Sequence, residues 1–159
     1  MTHYFLTVLA AAAGLLLLLG VLWDAFETMI LSRRVSRGVR FTSLFYRATW
    51  APWAAAARRM PSGRRRESLL TIYGPLSLVF LIGLWAITLV FAFALLQWGL
   101  GGHGFWTTLY MSGTTLFTLG LGDVTPQTTV ARFFTVLETG TGFAFLGLVI
   151  SYLPVLSQA

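Results

Sequence analysis

Residues 115–123 read Thr115-Leu116-Phe117-Thr118-Leu119-Gly120-Leu121-Gly122-Asp123. Gly120 and Gly122 alternate with leucine, and Asp123 is followed by Val124-Thr125-Pro126. Glycine reaches backbone conformations closed to other residues. At every second position it lets successive carbonyls point the same way. Upstream, Phe105 to Phe117 is an apolar, hydroxyl-rich run of 13 residues, entered through the turn Gly99 to Gly104. A helix rises about 1.5 Å per residue, so this run is too short to cross about 30 Å of hydrocarbon. It reads as a re-entrant segment. Irregular backbone at membrane depth is tolerated only where protein buries it or where it lines a watery cavity.

Composition agrees with a membrane setting. The 159 residues are 57% hydrophobic and 10% charged, with mean hydropathy +0.78. A soluble domain carries about 25% charged residues. The length suits one domain with three or four crossings at most. Cysteine is absent, which excludes disulfides, thiolate metal sites and a Cys nucleophile. Lysine is absent too, which excludes a Walker A loop and a Schiff-base lysine. His3 and His103 are far apart and do not suggest a metal site.

Three apolar runs surround the dip. The first, Phe5 to Trp23, has 19 uncharged residues. No Arg or Lys precedes it and positive charge follows it, so it reads as a retained helix with its N-terminus outside rather than a signal peptide. Asp24 and Glu27 share a helix face. They read as an amphipathic helix end at the cytoplasmic interface, paired with Arg33 or Arg34, in preference to an acidic pair that meets another helix inside the membrane. The second run, Leu69 to Trp98, is interrupted at Gly74-Pro75. Proline suits the first turn of a helix, so the span proper is expected to begin at Pro75, with Trp98 in the outer aromatic belt. The third run, Val130 to Leu156, returns to the cytoplasmic side.

The formal charge is +6, and ten of the 11 arginines lie between Arg33 and Arg66. A basic stretch between two apolar runs reads as a cytoplasmic loop, not as a nucleic-acid surface. Within residues 32–67, Phe41, Leu44, Phe45, Trp50 and Trp53 mix with Arg40, Arg47, Arg58 and Arg59. That mixture suits a helix in the headgroup plane, broken at Pro52 and Pro61. Arg34, Arg37 and Arg40 repeat as in a voltage sensor, but Ser36 and Gly38 make the segment too polar to lie within a span. Arg64, Arg65 and Arg66 suit anionic lipid.

The stretch Thr115 to Asp123 resembles the potassium-channel signature T-x-x-T-x-G-Y-G-D. Arg132, followed ten residues later by Gly142, resembles that family's inner helix. The likeness covers residues 76–156. It implies an all-α membrane protein with three transmembrane helices, a re-entrant pore helix and a selectivity filter, assembling as a homotetramer because one loop supplies a quarter of a ring. The chain then divides into an N-terminal transmembrane helix (1–31), an Arg-rich interfacial segment (32–67) and a pore domain (68–159). The resemblance implies a prokaryotic two-transmembrane pore with an added N-terminal helix, in a bacterial inner membrane, with the C-terminus cytoplasmic. Potassium is the implied permeant ion and no cofactor is implied. The ion ligands would be the backbone carbonyls of Thr118, Leu119, Gly120 and Leu121, with the Thr118 hydroxyl at the inner end and Gly122 closing the filter. Asp123 would sit at the outer mouth and attract cations.

Departures from the signature are informative. Leu119 stands for the usual Val, and Leu121 for a Tyr that packs against the pore helix in the family. Phe117 stands where many members have Thr, and Thr114 where some carry an acidic brace. A non-selective cation channel on the same scaffold and a non-conducting structural subunit therefore stand as alternatives to potassium selectivity.

Other residues are candidates too. Thr139-Gly140-Thr141-Gly142 reads as small-residue packing and, by the resemblance, as a gating hinge at Gly142. Pro154 is expected to bend or end the last helix. Glu138 is an ionisable group inside an apolar run, whose partner would be a filter-backing hydroxyl or a neighbouring subunit. His103 reads as an exposed loop residue before a sensor of outside pH. Ser112-Gly113 lacks the G-x-S-x-G pattern of a serine hydrolase, and Thr125 stands where a dinucleotide loop needs glycine. The chain reads as a non-enzyme.

Overall fold

The computed structural model describes residues 2–30, 49–50, 54, 64–101 and 103–157. Among them stand helices α1 (Thr2–Ile30), α2 (Arg64–Gly99), α3 (Phe105–Leu116) and α4 (Thr129–Ser157), and no strand. Two helices carry stretches long and apolar enough to cross a membrane, Phe5–Glu27 on α1 and Leu76–Gly99 on α2. The protein is an integral membrane protein built of helices.

The apolar part of α2 coincides with the span expected from Pro75 to Trp98, but the helix does not start there. It runs unbroken from Arg64, which puts Pro75 in its interior. Proline frees one carbonyl of the preceding turn, and neighbouring groups in a membrane helix can take it up. The last helix behaves similarly and continues through Pro154 to Ser157. Thr128 caps its start, with its hydroxyl accepting from the Ala131 amide at 3.1 Å.

The chain forms two compact units. One joins Met1–Val21 to Ala86–Ala159, and the other is Leu22–Trp85. In the first, α1 runs antiparallel to the end of α2 with backbones almost touching. A Cβ on Gly14 would stand 2.6 Å from the Leu96 amide nitrogen and 2.7 Å from the Ala92 carbonyl oxygen. Gly99 approaches Thr7 and Ala11 in the same way. Small residues at such crossings are how membrane helices gain van der Waals contact. Leu89, Ala92, Phe93 and Ala94 are buried along this stretch.

In the second unit, Asp24 is buried and accepts a hydrogen bond from Trp85 Nε1 at 3.1 Å. The acid therefore meets another helix, a contact the interfacial reading of Asp24 does not include. The cause is the length of α1, which continues past Trp23 and carries Asp24 against α2. Arg33 and Arg34, its expected partners, lie outside the described residues, as does most of the Arg-rich segment. Tyr73 meets Thr49 at 2.9 Å and stacks edge-on with Trp50, ring centroids 5.0 Å apart.

Candidate functional site

Helix α3 ends at Leu116, one residue short of the expected run. Its final carbonyls then organise the loop. Thr118 N–H donates to Thr115 O at 3.0 Å, Leu119 N–H to Thr114 O at 2.8 Å and Gly120 N–H to the same oxygen at 3.3 Å. Three successive amides thus turn back into the helix end. Thr114 takes part through its carbonyl, while its hydroxyl donates to Met111 O at 2.9 Å on its own helix.

The backbone beyond alternates in hand. Thr118, Gly120 and Gly122 have φ of 58°, 56° and 76°, whereas Leu119 and Leu121 stay at negative φ. Alternating left- and right-handed conformations turn successive carbonyls to one side of the strand. The two glycines serve this conformation and not close packing, since a Cβ on either would meet nothing within 4 Å. Thr118 reaches the left-handed region without glycine's freedom, which is uncommon for a β-branched residue. Leu119 and Leu121 are exposed on a single chain, and so is Phe117.

At the far end of the loop, the Tyr110 hydroxyl of α3 hydrogen-bonds the Asp123 carboxylate. That bond lifts the phenol above its ordinary value, with desolvation and the carboxylate charge acting in the same direction. His103 Nε2 lies 3.0 Å from Thr125 O. The contact ties the outer turn to the segment after the loop. Arg132 Nε donates to Pro126 O at 3.3 Å, which holds the same segment from α4.

Behind the loop lies a buried polar cluster. Glu138 and Ser112 are fully buried and Gln97 nearly so. The Ser112 hydroxyl bonds Glu138 Oε1, and Gln97 Nε2 donates to Glu138 Oε2 at 2.6 Å. The partner of Glu138 is thus a hydroxyl on α3, as the filter-backing reading expects, together with an amide on α2. Ser112 Oγ also lies 2.9 Å from Val90 O, and Gln97 Oε1 lies 3.4 Å from Thr135 Oγ1. No described buried side-chain nitrogen or oxygen lacks a partner. Ser112 is committed to this cluster and His103 to Thr125, so the two do not form a nucleophile and base.

One turn past Glu138, Gly142 lies against the end of α3. A methyl group there would overlap the Leu116 carbonyl oxygen. Of the small residues at 140, 142 and 147, only Gly142 meets another element in this way. Below it, a pocket of about 160 Å³ is lined by Leu116, Phe117, Thr118, Gly142, Phe145 and Leu146, among others.

A family model described as ion channel, of the two-transmembrane potassium-channel pore-loop type, matches residues 77–156. The chain belongs to that family. No curated protein and no solved structure matches it. The match takes in the apolar part of α2, all of α3, the loop and nearly all of α4, so the channel's N-terminal helix α1 lies outside it. The sequence singles out the loop, Asp123, Glu138 and Gly142 as candidates. It passes over Gln97, whose only signal is one amide in a Leu- and Phe-rich run, and Tyr110, one of several aromatics on a short helix.

Proposed function

We propose that this channel conducts potassium selectively and passively through a homotetrameric filter made of Thr118, Leu119, Gly120, Leu121 and Gly122. The observation that supports it most is the alternating backbone hand at Thr118, Gly120 and Gly122, together with amides 118–120 turned into α3. Amides engaged behind the loop leave the carbonyls of Thr118, Leu119, Gly120 and Leu121 free to replace water around a cation. The Thr118 hydroxyl would serve the inner end, and Asp123, held by Tyr110, the outer mouth. The exposed Leu119 and Leu121 fit burial by neighbouring subunits around a common axis.

In this reading α4 is the third span and lines the inner pore, and Gly142 gives both the close seat of α3 and the hinge of the gate. The permeant ion is the only small species needed, no reaction is catalysed and no nucleic acid takes part. The N-terminus lies outside and the C-terminus in the cytoplasm of a bacterial inner membrane, as the arginine distribution favours. Arg64, Arg65 and Arg66 open α2 at the positive end of its dipole. Anionic headgroups are the fitting counter-charge there.

Reversal potential in planar bilayers, with potassium on one side and sodium on the other, tests the selectivity. Leu121 supports the second reading, a non-selective monovalent cation channel. Its side chain lacks the phenolic hydrogen bond and is 60% exposed on its own chain. A reversal near zero with real current favours that reading, and a bilayer tight to every monovalent ion favours a structural subunit.

A further inference from the structure

The Glu138 carboxyl reaches two other helices. Its Oε2 takes a hydrogen from Gln97 Nε2 on α2 at 2.6 Å, and its Oε1 bonds Ser112 on α3. Ser112 in turn reaches back to Val90 O on α2 at 2.9 Å. Two residues after Ser112 stands Thr114, whose carbonyl accepts the amides of Leu119 and Gly120. One turn after Glu138 stands Gly142, whose missing side chain lets the Leu116 carbonyl approach. Residues four apart share a helix face, so α4 grips α3 at two points one turn apart.

We propose that Glu138 is a positioning residue for the filter: it fastens α3 to α4 and α2 through Ser112 and Gln97, and so fixes the Thr114 carbonyl from which the filter amides hang. The inference deepens the channel reading and rests on it. A buried polar network holds one geometry only when each member is satisfied, and a partial one loosens.

The hydrogen count selects the variants. The Ser112 hydroxyl has one hydrogen and two neighbours, Val90 O and Glu138. Glutamine at 138 meets every partner: its oxygen accepts from Gln97 and its amide donates to Ser112, which then donates to Val90 O. Leucine fills the same space and meets neither. Alanine at 112 removes the α3 end of the link and leaves the Gln97 bond.

The experiment compares wild type, Glu138→Gln, Glu138→Leu and Ser112→Ala in lipid vesicles. Two readouts are taken: amide hydrogen exchange across residues 105–116, and reversal potential between potassium and sodium. Glu138→Leu and Ser112→Ala are expected to speed exchange in α3 by about tenfold or more, with α1 exchange unchanged. Both are expected to move the reversal potential toward zero, and Glu138→Gln is expected to match wild type in both readouts. Unchanged α3 exchange in Glu138→Leu and Ser112→Ala overturns the proposal. So does faster exchange with an unmoved reversal potential, which makes the link structural only, and so does a Glu138→Gln variant as impaired as Glu138→Leu. A wild type that passes no selective current fails the channel reading itself, and α3 exchange then still decides whether the link holds. If Glu138→Leu does not fold, Ser112→Ala carries the test, since it removes only a hydroxyl.

Discussion

Trp85 donates its indole N–H to the buried Asp24 carboxylate at 3.1 Å, joining α1 to α2 across 61 residues of sequence. This bond gives the N-terminal helix, which lies outside the family match, a polar anchor on a helix inside or beside it. Trp85→Phe keeps the ring and removes the donor. A buried carboxylate that loses a hydrogen bond costs about 1–3 kcal/mol. Denaturant unfolding in mild detergent is expected to show a loss of that size, and Asp24→Asn, which keeps an acceptor, a smaller one.

Gly142 and its neighbours on α4 separate packing from helix propensity. Gly142→Ala drives a methyl into the Leu116 carbonyl, so α3 or α4 must shift. Overpacking of this kind costs about 1–3 kcal/mol. Gly140→Ala meets nothing within 4 Å on its own chain and gains helix propensity of up to about 1 kcal/mol. Thermal unfolding is expected to fall for the first and to hold or rise for the second. Current should be lost only in the first.

The loop was legible in the sequence and its cause was not wholly so. Alternating glycines marked Gly120 and Gly122 as the left-handed positions, and both are. Thr118 completes the alternation although its residue type argues against it. Its conformation follows from the amide bonds to Thr115 and Thr114, which exist only once α3 has formed. The Trp85 bond to Asp24 stays hidden for a similar reason. The apolar run before Asp24 is already long enough to cross, and nothing local points to Trp85. Glu138 drew attention because a carboxyl in an apolar run must find partners, but Ser112 and Gln97 emerge only from the register of three packed helices.

Thr118 offers a test of strain against function. A left-handed backbone costs a non-glycine residue about 1–2 kcal/mol. Thr118→Gly is expected to relieve that cost and raise thermal stability slightly. The same change removes the hydroxyl assigned to the inner end of the filter, so selectivity for potassium over sodium should fall. Stability and selectivity moving in opposite directions is the outcome to look for.

Tyr110 has a pH signature. Its phenol is raised above the ordinary value of 10.0, chiefly by the hydrogen bond to Asp123. A raised value favours the protonated form, so the bond is intact below 10 and is lost as pH rises through the higher folded value. Phenolate absorbance is expected to show one tyrosine ionising later than the rest, and Tyr110→Phe to remove that late step. A Tyr110 that ionises with the others contradicts the pairing.

Arg64, Arg65 and Arg66 replaced together by Gln are expected to abolish any difference in channel activity between anionic and neutral vesicles. Equal dependence on anionic lipid in both proteins removes the lipid assignment.

A potassium-selective filter of Thr118 to Gly122 in a tetramer of this chain sets the voltage at which current reverses. The most direct measurement is the reversal potential of the purified protein in planar bilayers, with potassium facing sodium. The expected result is a reversal near the potassium equilibrium potential, abolished by Gly120→Ala. A reversal near zero, with current that Gly120→Ala leaves unchanged, would contradict it.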